Sequence, residues 1–576
     1  ADFYAIAEKF HVDPVVARII RNREVIGEKN IRIYLGGNLS DLSDPHQMKD
    51  MDRLVEILVQ KIRKQVRIRI IGDYDVDGVT SSHLFLTALR RVGAKVDVVI
   101  PHRIQDGYGL SLHLLQQAKE DGVDTILTCD NGIAAIDEIA WAKAQKMTVL
   151  VTDHHAVPFE EHEGRRTEKK SLADAVVNPH QQDCGYPYKE LCGAGVAWNV
   201  IRVLYENYDM DKREAEDLLD FVAMATVCDV MSLTGENRIL VKEGLKRIRH
   251  TKNIGLQALM QACNVQPENI SAYHFGYVLG PCVNATGRLD TARHALRLFE
   301  TGQETEAEEI ARDLVDLNQE RKELTLQGVE MAKKLCEEGG YENDPVLVLF
   351  LPDVHESIAG LIAGRIREMY NRPVFVLTRG EEGVKGSGRS TENYSMYENM
   401  CGCAELFTKF GGHPMAAGLS LPEENVEKFR RKINENCPLT VEEVCPDIHI
   451  DMAMPVGYAS TELVHQFALL EPFGKDNPSP LFADRNLSIS RMWVIGKNRN
   501  VLRMSVLSEY GQPVPVIFFG DVETLFAYFT EKFGQKEVEN ALHGRKNRIL
   551  FSMVYTAKID FYQGNENLQL EMKYYR

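Results

Sequence analysis

The sequence predicts a multidomain α/β protein: a parallel-sheet domain, a helical connector, a second α/β domain and a C-terminal β-barrel. Three observations predict it. From 66 to about 230, short apolar runs alternate with helical patterns, which implies βαβ units whose parallel sheet is covered on both faces. A second such pattern starts at 345, and from 446 onward five or so short alternating strands fill about 130 residues. That density marks a small barrel, with the OB-fold as the leading form. A chain of 576 residues also exceeds what one hydrophobic core holds.

In chain order, 1–65 reads as an N-terminal helical segment. Within 66–300, the strands "VRIRII", "KVDVVI", "DTILTC" and "TVLVT" interleave with the helices "GVTSSHLFLTALRRVG", "SLHLLQQAKE" and "AAIDEIAWAKAQ". From about 190 the pattern turns helical, with "GAGVAWNVIRVLYENY" and "REAEDLLDFVAMATVCDVM". The polar-apolar run 303–336 is a connecting helix within 301–340. "PVLVLF", the helix "ESIAGLIAGRIREMY", "PVFVLT" and the Gly-rich "FGGHPMAAGLSL" make up 341–440. "DIHIDMAM", "LSISRMWVIG", "VLRMSVLS", "VPVIFFG" and "RILFSMVYTAKIDFY" are the strands of 441–576.

The composition, 44% hydrophobic and 26% charged, is that of an ordinary globular protein. No stretch approaches the roughly 18 unbroken apolar residues of a membrane span, and "ADFYAIAEKF" lacks a basic region followed by an apolar core. A cytoplasmic location and no membrane association are the expectation. Eleven cysteines without a C-x-x-C pair fit reduced thiols, and "CGC" at 401–403 reads as packing. The net charge of −17 argues against general polyanion binding and leaves room only for a local basic patch.

The acid is not evenly spread. "GDYDVDG" sets Asp73, Asp75 and Asp77 at every second position where a strand hands over to a helix. Two carboxylates about 4 Å apart repel by roughly 1 kcal/mol in bulk water and about 4 at a dielectric near 20. A divalent cation would offset that repulsion, and oxygen-rich sites suit magnesium or manganese. "DNG" (Asp130 to Gly132) and "DHH" (Asp153 to His155) follow two further strands, and ligands of such sheets sit at the carboxyl ends of strands. One fold would bring all three to one edge. Singly, an aspartate in such a turn is commonly an N-cap. Asp229 ends an apolar helix, where its charge opposes the dipole unless something positive faces it.

"GDYDVDG", "CDNG", "TDHH" and "ATVCDVMSLTGENR" resemble the four successive motifs of the DHH phosphoesterase superfamily. The resemblance implies two Mn2+ or Mg2+ ions, with Asp75 and Asp77 as ligands, Asp130 as the bridging carboxylate, His154 as the imidazole ligand and Asp229 as the last carboxylate. Asp73 would be at most an additional ligand, and His155 would meet the scissile phosphate.

"PHRIQDGYGL" (101–110), "GPCVNATGRLD" (280–290), "GSGRS" (386–390), "FGGHPMAAG" and "LEPFGKDNPSPLF" (470–482) together resemble the RecJ family, exonucleases specific for single-stranded DNA. The likeness runs from about residue 66 to the C-terminus. It implies a DHH catalytic domain at 66–300, a nucleic-acid-binding DHH-associated domain at 341–440 and an OB-fold at 441–576. The implied activity is 5′-to-3′ degradation of single-stranded DNA to mononucleotides by two-metal hydrolysis, in DNA repair and recombination. The implied partners are a single-stranded-DNA-binding protein and a helicase.

Arg103, Arg288, Ser387 and Arg389 match family positions that anchor the 5′ phosphate. Taken singly each arginine reads as an exposed salt bridge, but all lie in Gly-rich local sequence, where a backbone can approach a ligand closely. Gly411, Gly412 and His413 form a turn whose amides could cradle a strand. The basic stretches 496–503 and 543–548, near Trp493 and Phe518, fit a cationic groove with stacking platforms.

The chain departs from the family pattern at Asp476, where a second glycine is usual, at Asp290, and around His355 in "PDVHESIAG". None of these removes a ligand. Two other readings remain open: a DHH phosphodiesterase of short RNA or cyclic dinucleotides, which needs no C-terminal barrel, and a noncatalytic scaffold of replication or repair complexes, which needs no intact ligand set.

Overall fold

The computed structural model describes residues 3–576 apart from 104–105, 107–108, 163–164, 342, 381–382, 446, 497–498 and 563. Parts of the motifs at 101–110 and 496–503 therefore lie outside the described residues. The first sheet contains β1 (Arg67–Ile71), β2 (Lys95–Val99), β3 (Thr125–Cys129) and β4 (Thr148–Thr152). After a small hairpin of β5 (Phe159–His162) and β6 (Arg165–Glu168), β7 (Ala175–Val177) completes it. The order is β2-β1-β3-β4-β7, parallel throughout.

Both faces are covered. Ile68, Ile70, Leu127, Cys129 and Leu150 pack into one core, and Ile71, Ile126, Val149 and Val151 into another, because successive strand residues point to opposite faces. The basic half of the β1 alternation is accounted for locally. Buried Arg69 pairs with Asp97 at 2.7 Å and Asp121 at 2.8 Å.

The helices Gly193–Glu206, Leu219–Cys228, Gly235–Ile248, Ile254–Ala262 and Gly280–Leu289 build up the first of these cores. A 35-residue helix, Glu304–Glu338, then joins two domains. Its Ala307, Ile310, Ala311 and Leu314 pack with the first sheet's core, whereas Val329, Ala332 and Cys336 pack with that of the second. The second sheet contains β8 (Leu347–Phe350), β9 (Val374–Arg379), β10 (Val384–Arg389), β11 (Lys409–Gly412) and β12 (Ala416–Leu421), in the order β11-β12-β10-β9-β8.

The third sheet contains β13 (Met452–Ala453), β14 (Phe482–Ile495), β15 (Val501–Leu507), β16 (Pro513–Phe519), β17 (Leu550–Tyr562) and β18 (Asn565–Tyr575). Pairing of β14 with β17 closes β14-β15-β16-β18-β17 into a five-stranded barrel. Two details differ from the sequence expectation. "DIHIDMAM" supplies only the short β13, since 447–450 are exposed and unpaired as strand. The fifth barrel strand is β18, whose first residues are polar and exposed, and helices Val522–Phe533 and Gln535–Leu542 intervene between β16 and β17.

The segment 1–65 is not one unit. Ile6, Val16, Ile19, Ile20 and Tyr34, from its first three helices, lie in the barrel's core, whereas Met51, Leu54, Leu58 and Ile62, from helix Met51–Arg63, lie in the core of the first sheet. Apolar faces from opposite ends of the sequence complete each other. Buried Arg238 fastens this junction, donating to the carbonyls of Tyr34 (2.8 Å), Leu470 (2.9 Å) and Leu469 (2.9 Å). Among the described residues no helix is long and apolar enough to cross a membrane.

Candidate active site

Asp73 to Asp77 leave the carboxyl end of β1, Asp130 that of β3, and Asp153 to His155 that of β4. These strands are neighbours, so their side chains meet. Three sets of donor atoms each lie within 4.8 Å of one another: Asp73 with Asp75 and Asp130; Asp77 with His154 and Asp229; Asp130 with His154 and His155. Asp130 belongs to two sets. Asp73, Asp77 and Asp130 are at most 2% exposed.

Backbone geometry holds these groups in place. Asp75 caps helix Val76–Arg91, its Oδ1 accepting from the Gly78 amide at 3.0 Å, so the capping role and a place in the cluster coexist. Asp77 accepts from the amides of Gly193 (2.6 Å) and Ala194 (2.7 Å) at the start of helix Gly193–Glu206, where partial positive charge favours a carboxylate. Asp130 takes φ +61°, a left-handed conformation that costs an aspartate energy and that proteins concentrate at functional sites. Asp229 terminates helix Leu219–Cys228, and the opposing positive charge comes first from His155 and then from Lys475 of the barrel loop.

Asp153 orients the histidines. Its Oδ1 accepts from the amides of His154 (2.7 Å) and His155 (3.1 Å) and lies 2.7 Å from His155 Nδ1. Its Oδ2 accepts from the Ile133 amide at 2.9 Å.

Burial pushes the carboxyls of Asp73, Asp130 and Asp229 well above the ordinary range, and neighbouring aspartates push them further. Asp75 is raised for the same reasons. Burial lowers His154, which favours the neutral imidazole that ligates metals. For His155, burial is outweighed by the bond to Asp153 and by nearby carboxylates, which bring it up to about 9. His154 Nε2 lies 3.1 Å from Asp130 Oδ1 and 3.6 Å from both Asp77 Oδ2 and Asp229 Oδ2, yet it is buried without a hydrogen-bond partner. A buried nitrogen facing three carboxylate oxygens, none in hydrogen-bonding geometry, fits a cation held among them, and the oxygen-rich donor set fits Mn2+ or Mg2+.

A cavity of about 570 Å³ adjoins this cluster, lined by Tyr74, Arg103, Arg288, Lys385, Ser387, Arg389 and Gly411 among others. Residues 103, 288, 387 and 389 are therefore brought together. Arg288 and Arg389 are not surface salt bridges: Arg288 donates to the Ser357 carbonyl at 2.6 Å, and Arg389 to the Gly388 carbonyl at 2.7 Å and Ser387 Oγ at 3.3 Å. Neither pairs with a carboxylate among the described residues. Burial, then repulsion from Arg103, Arg321 and neighbouring Arg389, lowers Arg288 to about 10. Arg389 is lowered likewise. The Arg103 guanidinium lies 5.0 Å from the Tyr74 ring centroid. An anion would relieve this concentration of positive charge.

Some expectations need correction. Gly411 reaches the cavity, but the amide of His413 is taken by the Ala416 carbonyl at 2.8 Å within the β11–β12 hairpin, and Gly412 pairs with Ala417. The His413 amide is therefore not available to a strand. Phe518 is a core residue at 7% exposure, whereas its neighbour Phe519 is 56% exposed. Trp493 is exposed, with Arg491 5.7 Å from its ring. Asp476 adopts φ +58°, the conformation for which glycine is the ordinary choice. Asp290 and His355 line a second cavity together with Arg103 and Arg288.

Sequence reasoning did not single out Asp153 as an orienting group, nor Gly193, Ala194, Tyr74 or Lys385. The signal for Gly193 was present in "CGAG": a Cβ there would lie 2.6 Å from Asp130 Cβ.

Comparison with known proteins agrees with this layout. Family models match as the DHH family N-terminal domain over 67–226, the DHHA1 domain over 343–437 and the RecJ OB domain over 450–574. The chain is 32% identical over 582 residues to the single-stranded-DNA-specific exonuclease RecJ of Haemophilus influenzae, covering 97% of this chain and 96% of that protein. It is 33% identical over 512 residues to the Bacillus subtilis protein of the same name, covering 88% of this chain but 63% of that one. The crystal structure of Thermus thermophilus RecJ in complex with Mn2+ superposes with a TM-score of 0.79 at 25% identity, covering 100% of this chain and 78% of that one. Another RecJ structure bound to manganese gives 0.58 at 32% identity, over 67% of this chain and 94% of that one.

Proposed function

This chain belongs to the RecJ family of single-stranded-DNA-specific exonucleases, and from that premise we propose that it degrades single-stranded DNA from the 5′ end to mononucleotides. The observation that carries the proposal is His154 Nε2 buried among the oxygens of Asp77, Asp130 and Asp229 without a hydrogen bond. Asp75, Asp77, Asp130, His154 and Asp229, with Asp73 in reach, would hold two Mn2+ or Mg2+ ions. When bound, such ions supply Lewis acidity to a phosphoryl group and acidify water, so that hydroxide is available near neutral pH.

The remaining roles fall to side chains of this chain. Asp130 has two oxygens and belongs to two of the three donor sets. His155, protonated near neutrality, donates to a non-bridging phosphate oxygen as negative charge grows there. Arg288, Arg389 and Ser387 hold the terminal 5′ phosphate, for which a planar guanidinium fork is suited. Tyr74 couples the two regions, since its ring lines the basic cavity while Asp73 and Asp75 on either side belong to the acidic cluster. An anchor so close to the cutting site favours release of one nucleotide at a time. Water adds to phosphorus and the P–O3′ bond breaks, so the shortened strand begins with a new 5′ phosphate, ready for the same anchor.

Exposed Trp493 and Phe519 with the barrel's basic residues would hold the strand further on. The activity serves DNA repair and recombination in the cytoplasm, with a single-stranded-DNA-binding protein and a helicase delivering unwound strands. The test is a direct competition in Mn2+ between a long 5′-phosphorylated single strand and a dinucleotide. Preference for the long strand is expected, and preference for the dinucleotide rejects the assignment.

A further inference from the structure

We infer that Cys263 and Cys282 form a reversible redox pair whose oxidation to a disulfide slows the enzyme. All eleven cysteines are free thiols. Among the described residues, these two are the cysteines whose sulfurs touch, at 3.8 Å. Cys263 ends helix Ile254–Ala262 and is partly exposed, whereas Cys282 is buried in helix Gly280–Leu289. The Asn318 side chain of the long connecting helix donates to Cys282 Sγ at 3.4 Å, and Arg321 holds the Asn318 oxygen from one turn further on. A shared hydrogen bond with Cys282 outweighs burial, and Lys322 adds to it, so the Cys263 thiol is held below its ordinary range. A partly exposed thiol of that kind beside a second thiol is the arrangement of a reversible sensor.

With hydrogen peroxide as oxidant, the chemistry balances. The Cys263 thiolate attacks one peroxide oxygen and the O–O bond breaks. Hydroxide leaves and takes up the proton the thiol had given, forming water and leaving a sulfenic acid. The sulfur of Cys282 then attacks the Cys263 sulfur, expelling hydroxide that takes the Cys282 proton as a second water. The sum is two thiols and one peroxide going to one disulfide and two waters.

The consequence follows from where helix Gly280–Leu289 leads. Asn284 Oδ1 accepts from the Val76 amide at 3.2 Å, between Asp75 and Asp77. Gly287 abuts Tyr74, whose carbonyl oxygen would stand 2.4 Å from a Cβ added there. Arg288 lines the phosphate cavity. A disulfide needs the sulfurs about 2.0 Å apart, and a close-packed interior passes such a displacement on. Closing the pair pulls on the helix that positions both the acidic turn and the anchor, and misplacement of about 1 Å is costly to catalysis.

The test uses the full chain carrying Cys401→Ser, which removes the exposed thiol. The activity arm rests on the exonuclease reading, whereas the thiol-mapping arm does not. After mild peroxide and alkylation, mass spectrometry should find the Cys263 and Cys282 peptides joined and lighter by two hydrogens. Exonuclease rate should fall by about fivefold or more, the low end of ordinary coupling between distant sites, and dithiothreitol should restore it. Cys263→Ser and Cys282→Ser should each abolish both the crosslink and the peroxide response. Alkylation of both thiols after peroxide, a crosslink that leaves the rate unchanged, or equal inhibition of Cys263→Ser would overturn the inference. An untreated protein inert towards single strands would instead count against the exonuclease reading, with the mapping still deciding whether the pair exists.

Discussion

The acidic cluster and the basic cavity adjoin each other and share the segment around Tyr74, yet they are built in opposite ways. Apart from Asp229, at a helix end, the acidic groups come from the ends of three adjacent parallel strands and are fixed by backbone amides, as with Asp77 on Gly193 and Ala194. The basic groups come from the loop at 103, helix Gly280–Leu289 and β10 of a different sheet, and they rest on carbonyls such as Ser357 and Gly388. One region is assembled by a sheet edge and the other by the docking of two domains. Each concentrates like charge away from water, so each suits an ion of the opposite sign. On the proposed function, the cluster is where bonds change and the cavity decides which phosphate is presented.

If this division holds, damage to the acidic side removes chemistry and damage to the basic side removes end selection. The largest effect is expected for Asp77→Ala. Cleavage should drop by at least about 10³-fold, beyond the loss of a single transition-state donor, while a fluorescently labelled single strand still binds within a few-fold of wild type. Unchanged turnover would break the comparison. Gly193→Ala should come next, because its methyl would stand 2.6 Å from Asp130 Cβ and force that carboxylate aside. A loss of about 10²-fold in kcat is expected from a displacement of that order, with weaker Mn2+ uptake by calorimetry and little change in strand affinity.

The same contrast explains what could be read from the sequence. Parallel βαβ order places strand ends at one edge, so Asp75, Asp130 and His154 converge as soon as the strands are recognised. The amides of Gly193 and Ala194 and the orienting role of Asp153 leave only faint marks, because they act through backbone geometry or through a second residue. The basic cavity joins positions about 185 residues apart, Arg103 and Arg288, with Ser387 about 100 further on, and no local periodicity predicts such a meeting. Only family resemblance pointed there. In the barrel, β18 begins with the polar, exposed "NEN", so its pairing comes from closure of the sheet and not from its own alternation. The N-terminal helices were legible as helices, but not their partner, a core formed mostly by residues beyond 450.

Arg389→Ala probes the other half of the comparison and should cost less. A charge-assisted bond to phosphate contributes roughly 1.5 to 3 kcal/mol, so kcat/KM on a 5′-phosphorylated strand should fall about 10- to 100-fold. On a strand with a 5′ hydroxyl the variant and wild type should be nearly equal. Equal losses on both strands would place Arg389 in general strand binding or in folding, and the two regions would no longer divide the work.

The smallest effect is on stability, and it separates the regions by pH. In metal-free protein the folded-state carboxyls of Asp73, Asp130 and Asp229 are raised by burial and mutual repulsion above the unfolded value of about 3.9. The folded chain then binds more protons than the unfolded one, so this contribution to stability falls as pH rises from about 4 through the raised folded values. Asp130→Asn removes one titrating group and one source of repulsion. Its denaturation midpoint in EDTA should therefore gain on wild type as pH is raised, and Mn2+ should reverse the advantage by stabilising wild type more. The basic cavity behaves differently, because Arg288, lowered to about 10, keeps its charge at every pH well below that value, so its cost does not vary there. Arg389→Ala should accordingly run parallel to wild type over the same pH interval. Should Asp130→Asn run parallel as well, the crowding of the acidic groups is relieved by something other than a cation.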